Sequence, residues 1–180
     1  MRKLTIEELD RIDVATFRQA GKLPVVVVLD NVRSQYNVGS VLRTADAFRL
    51  EGVCLCGITG CPPSVEIHKT ALGAEDSVAW KYYERTLDAV RDLRAKGYHI
   101  LAVEQVEGST KLPDFRAAAG QPYALVLGNE VKGVQQEVVD AADEALEIPQ
   151  YGTKHSMNVA VTAGIVMWEM ERQLGADVFP

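Results

Sequence analysis

Apolar residues follow two different spacings along the chain. At residues 25–29 every position is apolar and most are β-branched, which predicts a strand buried on both faces of a parallel sheet. Over residues 37–48 the apolar positions recur every three or four residues, as in a helix, and residues 52–56 have the composition of the next strand. Strand, helix and strand in this order are typical of an α/β fold.

The same alternation continues through the second half of the chain. It predicts helices at residues 86–96, 135–142 and roughly 155–174, and strands at residues 98–103, 123–127 and 145–148. With 180 residues, of which 47% are hydrophobic, we expect a single α/β domain with a mostly parallel sheet flanked by helices.

The first 23 residues precede this pattern. Thr5 followed by Glu8 is typical of a capping box, which predicts a helix that ends near Gly21. The apolar stripe of this helix would consist of Ile6, Leu9, Ile12 and Phe17. We therefore expect an N-terminal helical extension over residues 1–23 and the main domain over residues 24–180.

Charge and cysteine content restrict the location and the partners. A net charge of −6 argues against binding nucleic acid through bulk positive charge, although several cations in the first half can still form a local basic surface. The longest apolar run is too short for a membrane span, and no signal-peptide core follows Arg2 and Lys3. Three cysteines, an odd number, suit a reducing compartment. We expect a cytoplasmic protein without a membrane partner.

Three polar loops that contain glycine follow predicted strands, and ligands of open α/β sheets bind beyond the carboxyl ends of strands. The first loop leads into a helix whose N-terminus can receive an anion, while Arg43 binds a phosphate. Alternatively, Asn37 only caps this helix and Arg43 is a solvated surface residue. In the second loop, Gly128 would let a ligand approach the backbone closely, or residues 128–130 form a plain turn.

The third loop, within residues 148–164, joins a strand to a helix. Ser156 and Asn158 lie at the predicted start of the helix, where both can act simply as caps. One face of the helix carries only small residues, which are Ala160, Ala163 and Gly164. Another backbone therefore has to come close to this face, in a tightly packed core or at a dimer seam.

In order and spacing, these three loops resemble the three motifs of the SpoU/TrmH branch of the SPOUT methyltransferases. The likeness extends over about residues 25–168, and Met157 stands where the family usually has leucine, a change that conserves volume. The matching residues are Asn37, Gly39, Arg43 and Ala45 in the first motif, Gly128 and Glu130 in the second, and Ile148, Pro149, Gly152, Ser156, Asn158 and Val159 in the third.

This resemblance implies an RNA 2′-O-ribose methyltransferase that uses S-adenosylmethionine and forms a homodimer. It also implies a deep trefoil knot at the C-terminal end, which general topology rules disfavour. The cofactor would contact Val103, Glu104, Gly128, Ile148 and Met157. The catalytic residues would be Arg43, Asn37, Glu130, Ser156 and Asn158. Because arginine stays protonated in proteins, we expect Arg43 to bind the phosphate and stabilise the developing alkoxide, with the general base left open.

Two other functions compete with this one. A non-catalytic RNA-binding module would keep the fold without the reaction, but every motif residue is present. A nucleotide-dependent oxidoreductase would need a GxGxxG motif after the first strand, which this sequence lacks. Because the sequence shows no separate N-terminal RNA-recognition domain, we expect tRNA rather than ribosomal RNA as the substrate.

Two further groups of residues give weaker indications. No metal site is expected, because the cysteines and the nearest histidine lack the spacing of paired zinc ligands and are more simply buried; they are Cys54, Cys56, Cys61 and His68. Residues 67–75 and the aromatic residues after them form either a base-stacking edge for RNA or a loop whose rings pack into the core; the aromatic residues are Trp80, Tyr82 and Tyr83.

Overall fold

The structure is a computed structural model that describes residues 1–179. Within these residues seven strands form one sheet, and every pair of neighbouring strands is parallel. In chain order they are β1 (Leu23–Asp30), β2 (Leu50–Cys56), β3 (Trp80–Tyr83), β4 (His99–Val103), β5 (Thr110–Lys111), β6 (Tyr123–Leu127) and β7 (Glu144–Glu147). Their order across the sheet is β3-β2-β1-β6-β4-β7-β5, which confirms the predicted α/β class.

The described residues contain seven α-helices, of which the first precedes β1 and the others lie between or after the strands. They are α1 (Val14–Gln19), α2 (Gln35–Ala47), α3 (Val65–Ala71), α4 (Ala74–Ser77), α5 (Thr86–Ala95), α6 (Gln136–Ala141) and α7 (Val159–Leu174). Short 3-10 turns occur at Glu7–Leu9, Leu112–Asp114 and Gly175–Asp177. None of the helices in residues 1–179 combines the length and the apolar character that a membrane span requires.

Strand β1 is apolar from Leu23 to Leu29 because both of its faces are covered. Val27 and Leu29 belong to the apolar layer that includes residues of α2 and α7. Val26 and Val28 point the other way and belong to the layer formed with α5 and α6. Alternate residues of a strand face opposite sides, so burial on both sides leaves no polar position in the middle of the strand.

The N-terminal segment differs from the predicted helix. Thr5 and Glu8 do form the capping box, with the Thr5 N–H donating to Glu8 Oε2 over 2.7 Å. It opens only one 3-10 turn, because Asp10 takes a left-handed conformation with φ of 46°. A separate helix, α1, then begins after Asp13, whose side chain accepts from the Thr16 N–H over 2.7 Å. In the predicted apolar stripe only Phe17 is buried, whereas Ile6, Leu9 and Ile12 are exposed.

Two other sequence interpretations need correction. The C-terminal helix begins at Val159 rather than near residue 155, since the Asn158 side chain caps it. The segment containing Trp80 is an edge strand, β3, which pairs only with β2. Trp80 and Tyr82 are exposed, whereas Tyr83 is partly buried against the layer formed with α5 and α6. The sequence did not reveal this strand, since an edge strand lacks the apolar run that marked β1.

Candidate active site

A cavity of about 450 Å³ lies at the carboxyl ends of β4, β6 and β7. This size is typical of pockets for small molecules. The cavity is lined by all the residues predicted to bind a cofactor, which are Val103, Glu104, Gly128, Ile148 and Met157. Two of the predicted catalytic residues, Glu130 and Ser156, line it as well. Parallel strands bring these segments together because their carboxyl ends meet at one edge of the sheet.

The chain turns back on itself directly after Gly128. The Asn129 N–H donates to the Gly133 carbonyl over 3.0 Å, and the Gly133 N–H donates to the Asn129 carbonyl over 2.8 Å. A Cβ at Gly128 would overlap the backbone of Gly133 and Val134. Glycine is therefore required here by the protein's own returning backbone, whereas the sequence interpretation assigned this close approach to a ligand.

Two carboxylates hold the far end of this loop. Glu104 accepts from the Val134 N–H over 2.9 Å, and Asp30 accepts from the Gln135 N–H over 2.8 Å. Asp30 is fully buried, and its second oxygen accepts from the Thr86 hydroxyl over 2.5 Å. Asp30 was not among the residues predicted from the sequence to belong to the site. The sequence did contain an indication of its role, because Asp30 ends an otherwise apolar strand and a buried carboxylate requires hydrogen-bond donors.

Glu130 occupies the N-terminus of α2. Its carboxylate accepts from the Arg33 N–H and the Ser34 N–H, each over 3.0 Å, and from the Asn37 side-chain amide over 3.1 Å. The anion expected at this helix N-terminus is therefore a side chain of the protein itself. Burial raises the pKa of Glu130, but the two backbone N–H groups and Asn37 lower it further, so that the pKa lies below its ordinary value. Glu130 is thus held as a carboxylate.

Asn37 connects Glu130 to the third motif. Asn37 lies in the first turn of α2, which Ser34 caps by accepting from the Asn37 N–H over 3.4 Å. The Asn158 side-chain amide donates to Asn37 Oδ1 over 3.1 Å. Asn158 also caps α7, since its Oδ1 accepts from the Ala160 N–H over 2.9 Å. One chain of hydrogen bonds therefore joins the three motifs through Asn158, Asn37 and Glu130.

The segment before α7 lies along the cavity. The Gln105 side chain donates to the His155 carbonyl over 2.8 Å, which fastens this segment to the loop after β4. Ser156 and Met157 follow and line the cavity. Ser156 does not cap α7, so of the two predicted caps only Asn158 has that role.

Arg43 lies apart from this arrangement. It is exposed on α2, six residues after Asn37, and it does not line the cavity. Six residues advance a helix by about 9 Å and turn it by more than one and a half turns, so Asn37 and Arg43 do not share a face. Among the described residues the Arg43 side chain has no hydrogen bond or salt bridge. One copy of the chain thus does not bring Arg43 to the other residues expected to be catalytic, which are Asn37, Glu130, Ser156 and Asn158.

The cysteines have ordinary structural surroundings. Cys54 and Cys56 lie on the same side of β2 and are buried in the layer formed with α5 and α6. Burial raises the pKa of Cys54 to about 11, so this thiol stays protonated. Within residues 1–179 no group of three or more histidine, cysteine or acidic residues is arranged to hold a metal ion.

Comparison with known proteins places this geometry in context. The sequence profile described as the SpoU rRNA Methylase family matches residues 24–168. The chain is 30% identical to the tRNA (guanosine(18)-2′-O)-methyltransferase of Thermus thermophilus, over 96% of this chain and 86% of that protein. It is also 30% identical to the 23S rRNA (guanosine-2′-O-)-methyltransferase RlmB of Neisseria meningitidis, over 83% of this chain and 59% of that protein.

A solved structure is similar as well. The crystal structure of an AdoMet-bound rRNA methyltransferase from Sinorhizobium meliloti matches with a TM-score of 0.77 and 31% identity, over 86% of this chain and 61% of that chain. The chain also spans 63% and 59% of the length of two Staphylococcus relatives. Several relatives are therefore considerably longer than the part of them that this chain matches.

Proposed function

Because the chain belongs to the SpoU rRNA methylase family, whose profile covers residues 24–168, we propose that it is an RNA methyltransferase that uses S-adenosylmethionine and modifies a ribose 2′-hydroxyl. One observation carries the proposal. The cavity at the carboxyl end of the sheet contains all the residues predicted to bind the cofactor, and the hydrogen-bond chain from Asn158 through Asn37 to Glu130 starts at its edge.

The cavity suits the proposed cofactor chemically. S-adenosylmethionine carries a sulfonium, an ammonium and a carboxylate, and the lining includes the carboxylates of Glu104, Glu130 and Glu147 together with the cation of Lys132. Apolar side chains complete the lining and would contact the adenosine part; they include Leu127, Leu146, Ile148 and Met157. When bound, the cofactor supplies an electrophilic methyl group. The protein's contribution is to hold the acceptor oxygen in line with that group.

The polar residues of the site act mainly by positioning. Glu130 fixes the loop before α2, and Asn158 fixes the start of α7 against the start of α2. Ser156 lines the cavity and is exposed, so its hydroxyl is available to a ribose. Arg43 would bind the phosphate and stabilise the alkoxide that develops on the 2′-oxygen.

We propose that a second copy of the chain completes the site. Val161, Ile165 and Trp168 are exposed on the outer face of α7 at helical spacing, and the Trp168 ring lies beside the Phe48 ring, with 5.9 Å between the ring centroids. Gly164 lies in the same region, and a Cβ there would meet open space, whereas Ala163 is buried in the core. Helix α7 packs against α2, so a copy docked on this face would lie close to the helix that carries Arg43.

This dimer is tested by sedimentation velocity on the wild type and on Ile165→Lys. Ile165 is already partly exposed, so the variant is expected to fold normally and to sediment as a monomer, while the wild type sediments as a dimer. A monomeric wild type with full methyl transfer would exclude the shared site.

We further propose tRNA as the substrate. Of the similar proteins described above, the Thermus enzyme is matched over the largest share of its length, and it is named as a tRNA methyltransferase. The Neisseria relative is equally identical and is named for 23S rRNA, so the proposal needs a direct test. Mapping of 2′-O-methyl groups in RNA from a strain that lacks the gene, compared with its parent, identifies the modified nucleotide.

The division of the chain and its knot are also part of this proposal. Residues 1–23 would form an extension and residues 24–180 the methyltransferase domain, in agreement with a family match that begins at residue 24. The trefoil knot implied by the resemblance stays a prediction.

The activity itself is tested with two measurements on the purified protein. Calorimetry should show binding of S-adenosylmethionine and no binding of NAD. Incubation of bulk RNA with tritiated cofactor, followed by nucleoside analysis, should place the label on ribose 2′-oxygens. Binding of RNA without any transfer would favour the non-catalytic RNA-binding module instead.

A further inference from the structure

A second cavity, of about 590 Å³, lies near the β3 edge of the sheet, whereas the proposed cofactor site lies toward the other edge, at β6, β4 and β7. It is bordered by the loop before α3, by α3 and α4, and by the start of the edge strand β3. Its lining combines apolar and polar groups and consists of Pro62, Pro63, Ser64, Val65, His68, Glu75, Asp76 and Trp80. None of these residues lines the cofactor cavity.

The indole of Trp80 gives this cavity an aromatic surface. Trp80 is 37% exposed, and its ring stacks on no other aromatic ring among residues 1–179. Pro62, Pro63 and Val65 line the same cavity, so a flat ring inside it would contact apolar groups in addition to the indole. Exposed aromatic rings of this kind are where unpaired bases of RNA stack.

Glu75 provides hydrogen-bond acceptors in the same cavity. Its side chain is only 11% exposed, and its oxygens are bound by His68 Nδ1 over 2.5 Å and by the Gly73 N–H over 3.0 Å. A carboxylate has about four acceptor positions, so two remain for a ligand. A base that presents N–H donors satisfies them, and guanine offers two adjacent donors on its Watson–Crick edge.

Cations lie beside the cavity, although the chain as a whole is acidic. The Arg18 guanidinium donates to the carbonyl of Asp76, a lining residue, over 2.5 Å. Lys69 is exposed on α3 next to His68, which also lines the cavity. Neither cation lines the cavity, and Asp76 adds a second carboxylate to Glu75 in the lining, so a phosphate attached to a bound ring would have to point out of the cavity toward Arg18 and Lys69. A nucleotide, whose negative charge lies on the phosphate and not on the base, meets this condition.

We propose that this cavity binds one unstacked nucleobase of the RNA substrate, with guanine preferred. The base stacks on Trp80 and donates to Glu75, and its phosphate lies toward Lys69 and Arg18. This inference rests on the proposed function, since it takes RNA to be the substrate, and it assigns to RNA a contact separate from the methyl-transfer site.

Fluorescence tests the contact directly. The chain has two tryptophans, Trp80 and Trp168, so the variant Trp168→Phe leaves Trp80 as the single emitter. Bulk tRNA and the monophosphates GMP, AMP, CMP and UMP are titrated into this variant without cofactor. Quenching by tRNA, and by GMP at lower concentration than by UMP, is the expected result. Absence of quenching by tRNA at concentrations where filter binding shows a complex would overturn the proposal.

Variants then measure how much the cavity contributes. Trp80→Ala should weaken tRNA binding about 5-fold to 100-fold, the range for loss of one base–aromatic stack, and Trp80→Phe should weaken it less. Glu75→Gln should reduce the preference for GMP. The control is Ile58→Ala, which removes an exposed apolar side chain outside the cavity and should leave tRNA affinity unchanged. An equal loss in Trp80→Ala and Ile58→Ala would contradict the proposal.

Two further measurements separate this proposal from the proposed function. In Trp80→Ala, calorimetry with S-adenosylmethionine should give the wild-type affinity, and methyl transfer should show a higher KM for tRNA with little change in kcat. Failure of the wild type to bind the cofactor would reject the proposed activity while the quenching experiment still decides the base site. If Trp80→Ala abolishes self-association in sedimentation and leaves RNA binding intact, the cavity is a contact between copies and the base site is rejected.

Discussion

The side-chain amide of Asn158 donates to Oδ1 of Asn37 over 3.1 Å, although the two residues are 121 positions apart. Asn37 in turn donates through Nδ2 to Glu130 over 3.1 Å. The negative charge of Glu130 requires a donor, so it fixes which way the Asn37 amide faces, and Asn37 then accepts from Asn158. The starts of α2 and α7 are thereby held in one relative position.

Substitution of Asn158 by Asp separates capping from positioning. Asp is as good an N-cap as Asn, so the cap is kept and the loss of stability should be smaller than in Asn158→Ala. The variant loses the N–H donor to Asn37. It also adds a second carboxylate to the series of hydrogen bonds that runs from residue 158 through Asn37 to Glu130. Methyl transfer should therefore fall at least tenfold, measured with tritiated cofactor, with urea denaturation as the check on stability.

Asn158→Ala is the matched control for this comparison. It loses the cap as well, so its stability should fall by about 1 kcal/mol. If Asn158→Asp keeps full activity, Asn158 is a helix cap and nothing more.

Replacement of Gly128 by Ala should disrupt the loop after β6. The new methyl would overlap the backbone of Gly133 and Val134, which cannot move aside as the end of a side chain can. We expect a loss of about 1–3 kcal/mol in unfolding free energy and weaker cofactor binding, measured by urea denaturation and calorimetry. Gly152→Ala is the control, because a Cβ at Gly152 meets nothing within 4 Å. Equal effects of the two variants would show that the close approach is not what requires glycine.

Glu130→Gln should make stability depend on pH in a defined way. Because the pKa of Glu130 is lowered in the folded state, its stabilising effect is fully present above its ordinary pKa of 4.5 and is lost as the pH falls through the lowered value. The variant should be about 1–3 kcal/mol less stable than the wild type at neutral pH. That difference in stability should be constant at neutral pH and should shrink below pH 4.5. Urea denaturation at a series of pH values measures it. If the stability difference between the wild type and Glu130→Gln stays the same into the acid range, the pKa of Glu130 is not lowered by folding.

Arg43→Ala should strongly reduce methyl transfer without changing cofactor affinity. Arg43 does not line the cavity, so calorimetry should give the wild-type binding constant. Loss of a group that stabilises the developing charge should lower kcat by about 100-fold or more. Arg91→Ala, at an exposed arginine of α5, is the control and should remain active. Full activity in Arg43→Ala would exclude its proposed role.

Much of the core could be predicted from local pattern. The run ending at Leu29 and the helical spacing around Val41 each indicated an element that the structure contains. The buried positions of these elements are occupied by apolar residues, so the spacing of apolar residues in the sequence reveals the element. The edge strand at Trp80 and the break at Asp10 were not visible, because neither involves a buried apolar pattern.

The residues of the candidate site were found only through resemblance to a family, since each loop alone fits an ordinary turn or cap. Asn158 illustrates this. Its role as a helix cap depends on neighbouring residues and is visible in the sequence, whereas its hydrogen bond to Asn37 joins distant parts of the chain and is not. Asp30 was missed for the same reason, because its donors Thr86 and Gln135 come from distant parts of the chain.

The sequence by itself determined the α/β class, the main strands and the three polar loops, because these follow from the spacing of apolar residues and from turn composition. The tertiary structure decided that Glu130 fills the N-terminus of α2, that the backbone of Gly133 requires Gly128, and that Arg43 lies outside the cavity. Hydrogen bonds and close contacts between distant segments depend on distances of a few ångströms, and local sequence pattern does not specify such distances.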